Sequence, residues 1–206
     1  MNPDEPPKIA NLEIAARSEP AMFVGGDYYD FMFSADKKRL FIAIADVSGK
    51  GVSAGLLMVE ARSIFHTLTS QNLSTDEMII IANRQIYADT LQMDTPMMIT
   101  MLLMEWHLEQ EKLSYTGAGH EHILIYRGNS KSIDSIKCGG LWLGVEDEIE
   151  DLIIHRTLAI NSGDTILLYT DGVTECHNPA AELFGLEELK DFLQKNGHKA
   201  PHDIVA

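Results

Sequence analysis

Three aspartates stand where a chain could hold a metal ion. Asp46 closes the apolar run Phe41-Ile42-Ala43-Ile44-Ala45 and is followed by Val47-Ser48-Gly49-Lys50-Gly51. Asp171 follows Leu167-Leu168-Tyr169-Thr170 and precedes Gly172, and Asp27 follows Gly25-Gly26. Carboxylates are hard oxygen ligands, suited to Mg²⁺ or Mn²⁺ rather than zinc. Taken singly, each aspartate reads as a turn residue, as Asp-Gly often is. Taken together, two apolar runs ending in Asp and a Gly-Gly-Asp favour a metal site.

The elements that must position them follow from pattern. Residues 27–33 and 39–45 read as strands joined by the polar turn Ser34-Ala35-Asp36-Lys37-Lys38. A regular hairpin centred on Asp36 and Lys37 sets Asp27 opposite Asp46. Two facing carboxylates repel, and a bound cation makes the arrangement favourable. Asp30 lies an odd number of residues from Asp27 and is expected on the other face of the strand. A slip of one residue would reverse both assignments.

Earlier in the chain, residues 9–18 read as a strand that ends at Glu19-Pro20. After Gly51, Leu57, Ala61, Ile64, Phe65 and Leu68 keep helical spacing as far as Gln71-Asn72. Ser74-Thr75-Asp76-Glu77 is a capping-box pattern, opening a second helix to about Leu91. The two helices are expected together on one face of a sheet. Strands follow at 97–106, 113–116, 122–127, 132–136, 152–160 and 165–169. A helix over 186–193 and the first turn of another from Pro201 complete the pattern. Antiparallel hairpins dominate, so sheet layers with helices outside are expected.

Bulk properties narrow the function. The chain has 206 residues, a formal net charge of -15 and 45% hydrophobic residues. That length favours a single domain. The acidic balance argues against nucleic acid and anionic membrane as partners. A phosphorylated substrate remains compatible if cations bridge the charges. Two cysteines, Cys138 and Cys176, do not suggest a disulfide framework, and a cytoplasmic location is expected. Residues 1–8 read as a linker remnant without a signal-peptide pattern, and no run approaches a membrane span.

Two other motifs fail on inspection. Ser48-Gly49-Lys50-Gly51 lacks the glycine and the Ser or Thr that a phosphate loop needs at Ile44 and Gly51. Gly25-Gly26-Asp27 is similar to the signature of diguanylate cyclases, but those continue with Glu-Phe where Tyr28-Tyr29-Asp30 stands; a nucleotide cyclase is the remote alternative. His120 and His122 form a His-x-His pair without a third ligand at suitable spacing, so His120 reads as a turn-stabilising residue.

The chain resembles the SpoIIE-type branch of the bacterial type 2C, metal-dependent serine/threonine phosphatases. The resemblance rests on Pro-Ala-Met-Phe-Val-Gly-Gly-Asp-Tyr-Tyr-Asp from Pro20 through Asp30 and on Ile-Ala-Asp-Val-Ser-Gly-Lys-Gly from Ile44 to Gly51. It also rests on Gly117-Ala118-Gly119-His120 and on Gly163-Asp164 leading to Tyr169-Thr170-Asp171-Gly172-Val173-Thr174-Glu175. It implies an α+β fold, a four-layer α-β-β-α sandwich of two antiparallel sheets flanked by helices, over residues 9–206. It also implies two Mn²⁺ or Mg²⁺ ions. Asp46 corresponds to the bridging ligand, the Val47 carbonyl lies beside it, Asp171 binds one metal, and Asp27 lies in or just behind the ligand shell. Asp30, Lys50, Gly26, Gly172 and His120 are further candidates for supporting the ligands or contacting phosphate.

The implied activity is hydrolysis of phosphoserine or phosphothreonine on a signalling phosphoprotein, of the anti-sigma-factor-antagonist type, within a partner-switching circuit. An upstream sensor or receiver domain acting through the helices at 52–71 and 74–91, and a homodimer, are the implied partners. Two departures stand out. Val47-Ser48-Gly49-Lys50 lacks the histidine that eukaryotic relatives carry after the bridging aspartate. The family pattern also ends in a strand with an Asp-Asp pair that is expected to be missing by Ala206, as in a domain incomplete at its C-terminal end. A catalytically weak or inactive phosphoprotein-binding module is therefore the alternative reading.

Overall fold

The computed structural model describes residue 3 and residues 5–19, 25–92 and 96–206. Residues 20–24 of the glycine-containing motif, with the turn at Pro20, lie outside the described residues. Two compact units are formed. The first takes in the described residues between 19 and 120 and those between 138 and 159. The second takes in residues 121–137, 160–206 and the described residues before 19 other than Pro3.

A five-stranded antiparallel sheet organises the first unit, in the order β1-β2-β3-β4-β7. Its strands are β1 (Tyr28–Phe33), β2 (Arg39–Val47), β3 (Ile99–His107), β4 (Lys112–Ala118) and β7 (His155–Leu158). β1 and β2 pair with Tyr28 facing Ala45 and Phe33 facing Leu40. That is the register expected from the turn at Asp36 and Lys37. Lys37 takes the left-handed conformation there (φ 55°), and Ser34 Oγ donates to Asp36 Oδ1 at 2.6 Å.

Helices α1 (Val52–Leu68) and α2 (Thr75–Thr90) pack on one face of this sheet. Leu57, Ala61, Phe65, Ile79, Ala82 and Ile86 are buried with Val47, Ile99, Met101 and Leu103 in one apolar cluster. The capping box forms as its sequence dictates, with the Ser74 N–H donating to Glu77 Oε2 at 2.8 Å. Arg39 ties the start of β2 to the connection between the helices. Its guanidinium donates to the carbonyls of Leu73 at 2.7 Å and Gln71 at 3.3 Å. Between the helices, Glu60 of α1 meets Asp89 of α2. Burial, then the hydrogen bond and charge of Asp89, push the Glu60 carboxyl up to about 7.

The second unit holds a three-stranded antiparallel sheet, β6 (Ser132–Ile136), β5 (Ile123–Arg127) and β8 (Thr165–Leu167), with β5 central. Helix α4 (Gly185–Asn196) buries Leu189 and Leu193 against Leu124, Tyr126 and Tyr169. Asp164 clamps the turn before β8, accepting from Arg127 Nη1 at 2.8 Å and from the Gly128 and Asn161 N–H groups at 3.0 Å. Burial alone would raise the Asp164 carboxyl, but these three donors hold it below the usual carboxylate range. Two short helices, α3 (Asp171–Thr174) and α5 (Pro201–Ile204), complete this unit.

Several expectations are corrected. Residues 9–18 do not form a strand. Ile9 and Leu12 bridge each other across a tight turn, where Asn11 is left-handed (φ 59°), and the backbone runs irregularly beyond it. The strand expected over 152–160 is reduced to β7, because a 3-10 turn at Glu150–Leu152 occupies its start. Asp171 does not end a strand: β8 stops at Leu167, and Asp171 opens α3. Each miss is a short segment whose apolar content fits more than one local structure.

Two outcomes follow for stability. Phe65→Ala, at a fully buried position of α1, is expected to cost about 3–5 kcal/mol, measured as the loss in urea-unfolding free energy. Glu60 carries a raised carboxyl in the folded chain and an ordinary one near 4.5 when unfolded. The folded state therefore keeps a proton that the unfolded state loses, and Glu60's contribution to stability falls as pH rises from about 4.5 to about 7. Glu60→Gln should flatten that decline in a pH series of melting temperatures, and an unchanged slope would exclude the assignment.

Candidate metal centre

The β1–β2 ladder brings the first two carboxylates together. Continuing the observed pairing one step past Tyr28 and Ala45 sets Asp27 opposite Asp46. The Val47 N–H donates to the Gly26 carbonyl at 3.3 Å, which extends the same ladder. Ligand oxygens of Asp27 and Asp46 lie within 4.8 Å of each other. Both residues are half-buried. Like charges held this close destabilise one another unless a cation lies between them.

Gly26 keeps space open beside the pair. A Cβ there would overlap the Val47 carbonyl oxygen and lie 2.8 Å from Asp46 Oδ1. The bare backbone thus lets the carboxylate of Asp46 and the carbonyl of Val47 approach the same point. Two carboxylates and a carbonyl form an all-oxygen donor set with no soft ligand. That set fits Mg²⁺ or Mn²⁺.

Behind Asp46 the chain turns sharply. Ser48 locks onto the start of β3, its N–H donating to the Met98 carbonyl at 2.8 Å and its Oγ accepting from the Met98 N–H at 2.9 Å. Gly51 then enters α1 at φ 81°, a conformation that disfavours side chains. Lys50 lies exposed in this turn. α1 therefore starts six residues after Asp46, and its burial against the sheet fixes where that aspartate's strand ends.

Asp30 belongs to different chemistry. Its carboxylate is buried on the helix side of β1, 2.6 Å from His66 Nε2 and 3.0 Å from Arg62 Nε. It also accepts from Tyr28 Oη at 2.9 Å. Burial, then the charge and hydrogen bond of Asp30, push the Tyr28 hydroxyl far above its ordinary range. Asp30 thus joins β1 to α1 and is removed from the candidates for supporting the metal ligands.

His120 is buried at the end of the β4 segment, with Nδ1 3.0 Å from Thr100 Oγ1. Thr100 is directly opposite Asp46 on β3. No motif singles out Thr100, yet it is the one polar residue within Met97-Met98-Ile99-Thr100-Met101-Leu102-Leu103-Met104, and that interruption is the signal the sequence offers. Asp171 lies in the second unit at the head of α3, where its carbonyl accepts from the Glu175 N–H at 2.7 Å. Gly172 follows it, exposed, and its carbonyl takes the Cys176 thiol at 3.1 Å.

The sequence model of Stage II sporulation protein E (SpoIIE) matches residues 36–206. The chain belongs to the SpoIIE family. Among curated relatives of this SpoIIE-family chain is the phosphoserine phosphatase RsbU of Bacillus subtilis, 32% identical over 170 residues, covering 82% of this chain and 49% of the relative. The chain thus spans about half the length of that protein. Among solved structures, the SiaA-PP2C domain of Pseudomonas aeruginosa superposes with a TM-score of 0.73 at 20% identity, covering 90% of this chain and 72% of that one. RsbX, solved in complex with magnesium, superposes with a TM-score of 0.62 at 16% identity, covering 94% and 81%. The fold is accordingly the α+β, type 2C phosphatase-like fold with two antiparallel sheets flanked by helices. No helix among the described residues is long and apolar enough to cross a membrane.

The open space at Gly26 carries a direct test. Gly26→Ala should weaken Mn²⁺ and Mg²⁺ binding by about 10- to 100-fold in calorimetric titration while leaving the circular dichroism spectrum intact. Unchanged affinity would show that the space beside Asp46 and Val47 is not used by a metal.

Proposed function

We propose that this chain is a metal-dependent protein phosphatase acting on phosphoserine or phosphothreonine. The observation that carries the reading is the facing Asp27–Asp46 pair, with Gly26 leaving the Val47 carbonyl and Asp46 open to one shared cation. Membership of the SpoIIE family and the likeness to a protein named as a phosphoserine phosphatase support it.

In this reading Asp27, Asp46 and the Val47 carbonyl hold the metal, and Asp171 supplies a further carboxylate. Mn²⁺ or Mg²⁺ is the expected ion, with two ions in the working site. RsbX was solved with magnesium, which supports Mg²⁺ as one candidate. When bound, such ions offset phosphate charge and make water a competent nucleophile near neutral pH. The chain's own part is positional. The β1–β2 ladder sets the spacing of two ligands, and the Ser48–Met98 hydrogen bonds hold the strand end from which Val47 presents its carbonyl. Lys50, exposed in the adjoining turn, would add positive charge to a site otherwise built from carboxylates. Its long flexible stem suits a contact with phosphate.

The substrate in this proposal is a phosphorylated signalling protein of the anti-sigma-factor-antagonist type. An upstream sensor or receiver domain acting on α1 and α2 supplies the input. The place of α1, six residues past Asp46 and buried against the same sheet, supports that route. A cytoplasmic setting and a homodimer belong to the same proposal.

Hydrolysis of para-nitrophenyl phosphate and of a phosphoserine peptide, with Mn²⁺, Mg²⁺ or EDTA, tests the reading. Metal-dependent turnover is expected. Asp46→Asn should lower it by a factor on the order of 100 or more, since even residues supporting metal ligands cost 10- to 100-fold when changed. Turnover that survives EDTA, or survives Asp46→Asn, would overturn it.

A further inference from the structure

Trp142 is 43% exposed, yet it is held in place. Its neighbour Leu143 is fully buried and bridges Ile99 through two backbone hydrogen bonds of 3.0 and 2.9 Å. Ile99 faces Val47 across the β2–β3 ladder. Val47, Ile99 and Leu143 all point into the apolar cluster beneath α1 and α2. Side chains alternate along extended strands, so Asp46, Thr100 and Trp142 share the opposite face. Continuing the isolated Ile99–Leu143 bridge by one step sets Trp142 beside Thr100, which pairs with Asp46. Two cross-strand steps separate Asp46 and Trp142, roughly 10 Å between their backbones. An exposed indole therefore flanks the carboxylates on their own face of the sheet.

The mounting is built at three points. Trp142 Nε1 donates to the Gly119 carbonyl at 3.1 Å. Gly119 is left-handed (φ 67°), and a Cβ there would overlap the indole ring. Behind the loop, Asn83 of α2 is fully buried. Its Nδ2 donates to the carbonyls of Glu146 at 2.7 Å and Asp147 at 3.2 Å, and its Oδ1 accepts from the Gly144 N–H at 3.0 Å. These bonds spend a buried amide on fixing an exposed loop. They leave the side chains of Glu146, Asp147 and Glu148 exposed, within six residues of the indole.

A rigid indole, with exposed carboxylates four to six residues further along the same loop, suits an organic cation, which the ring face and the negative charges both attract. We propose that Trp142, with Glu146, Asp147 and Glu148, forms a subsite for a lysine or arginine side chain flanking the phosphorylated residue of the protein substrate. The proposal rests on the phosphatase reading above for the phosphorylated residue itself. It assigns Trp142 the role of a specificity-determining residue for the peptide around it.

The test compares two phosphoserine peptides that differ only in a flanking Lys or Ala, using the full 206-residue chain. The wild type should favour the Lys peptide in kcat/KM by about three- to tenfold, mainly through KM. Trp142→Leu should bring that ratio toward one, and Trp142→Phe should restore most of it. Equal use of the two peptides by the wild type, or a ratio untouched by Trp142→Leu, would overturn the subsite while the phosphatase reading stood. Metal-dependent hydrolysis of para-nitrophenyl phosphate by the wild type reports on that reading separately. Should all turnover be absent, fluorescence decides. Trp106 and Trp142 are the two tryptophans, so a Trp106→Phe chain reports Trp142 alone. Saturable quenching by the Lys peptide and weaker quenching by the Ala peptide would support the subsite, and equal or absent quenching would overturn it.

Discussion

The constraint on which the site depends is the register of one hairpin. Residues 28–33 of β1 pair with residues 40–45 of β2 without a bulge, and the ladder continues through the Val47–Gly26 hydrogen bond. Because side chains alternate with a period of two, this register brings two carboxylates face to face and sends a third, Asp30, to the opposite side. The repulsion between Asp27 and Asp46 is borne by backbone hydrogen bonds and by the apolar cluster that α1 and α2 complete. Binding a divalent cation would turn that cost into an attraction, a general reason for pre-arranged carboxylates to sit on strands rather than loops.

Asp27 and Asp30 lie three residues apart in the same hairpin and meet different environments. Asp30 is buried with Arg62, His66 and Tyr28 around it, which balances its charge and ties β1 to α1. Asp27 stays half-exposed at the strand end, where a cation from solvent can reach it. A buried carboxylate needs protein partners, whereas a ligand carboxylate needs access. The strand provides both by alternation alone.

In the proposed phosphatase, an acidic chain that acts on phosphate would need to recruit positive charge. The net charge of -15 would repel a phosphorylated protein from most of the surface. Metal ions held at the carboxylates would answer this locally. The same negative field would attract basic side chains on the proposed substrate, and the carboxylates beyond Trp142 would give that attraction a place to act.

Much of the site was legible in the residues. Asp46 at the end of a buried run, the polar turn at Asp36 and Lys37, and the period-two rule determined the facing pair, because a two-stranded register follows from turn position and burial. The capping box at Ser74 and the helical spacing from Leu57 to Leu68 likewise read directly. Other features depended on contacts between residues far apart in sequence. That β7 joins β4 while β8 joins β5, placing consecutive strands in different sheets, follows from side-chain packing that no local pattern encodes. The Arg62 and His66 partners of Asp30 stand more than thirty residues away. The row from Asp46 through Thr100 to Trp142 needs three segments to align. Sequence determined which groups were capable of chemistry and which neighbours local geometry forced together. Tertiary structure decided which of those groups were buried with a partner and which were left facing solvent, because burial is a property of the packed chain and not of any one segment.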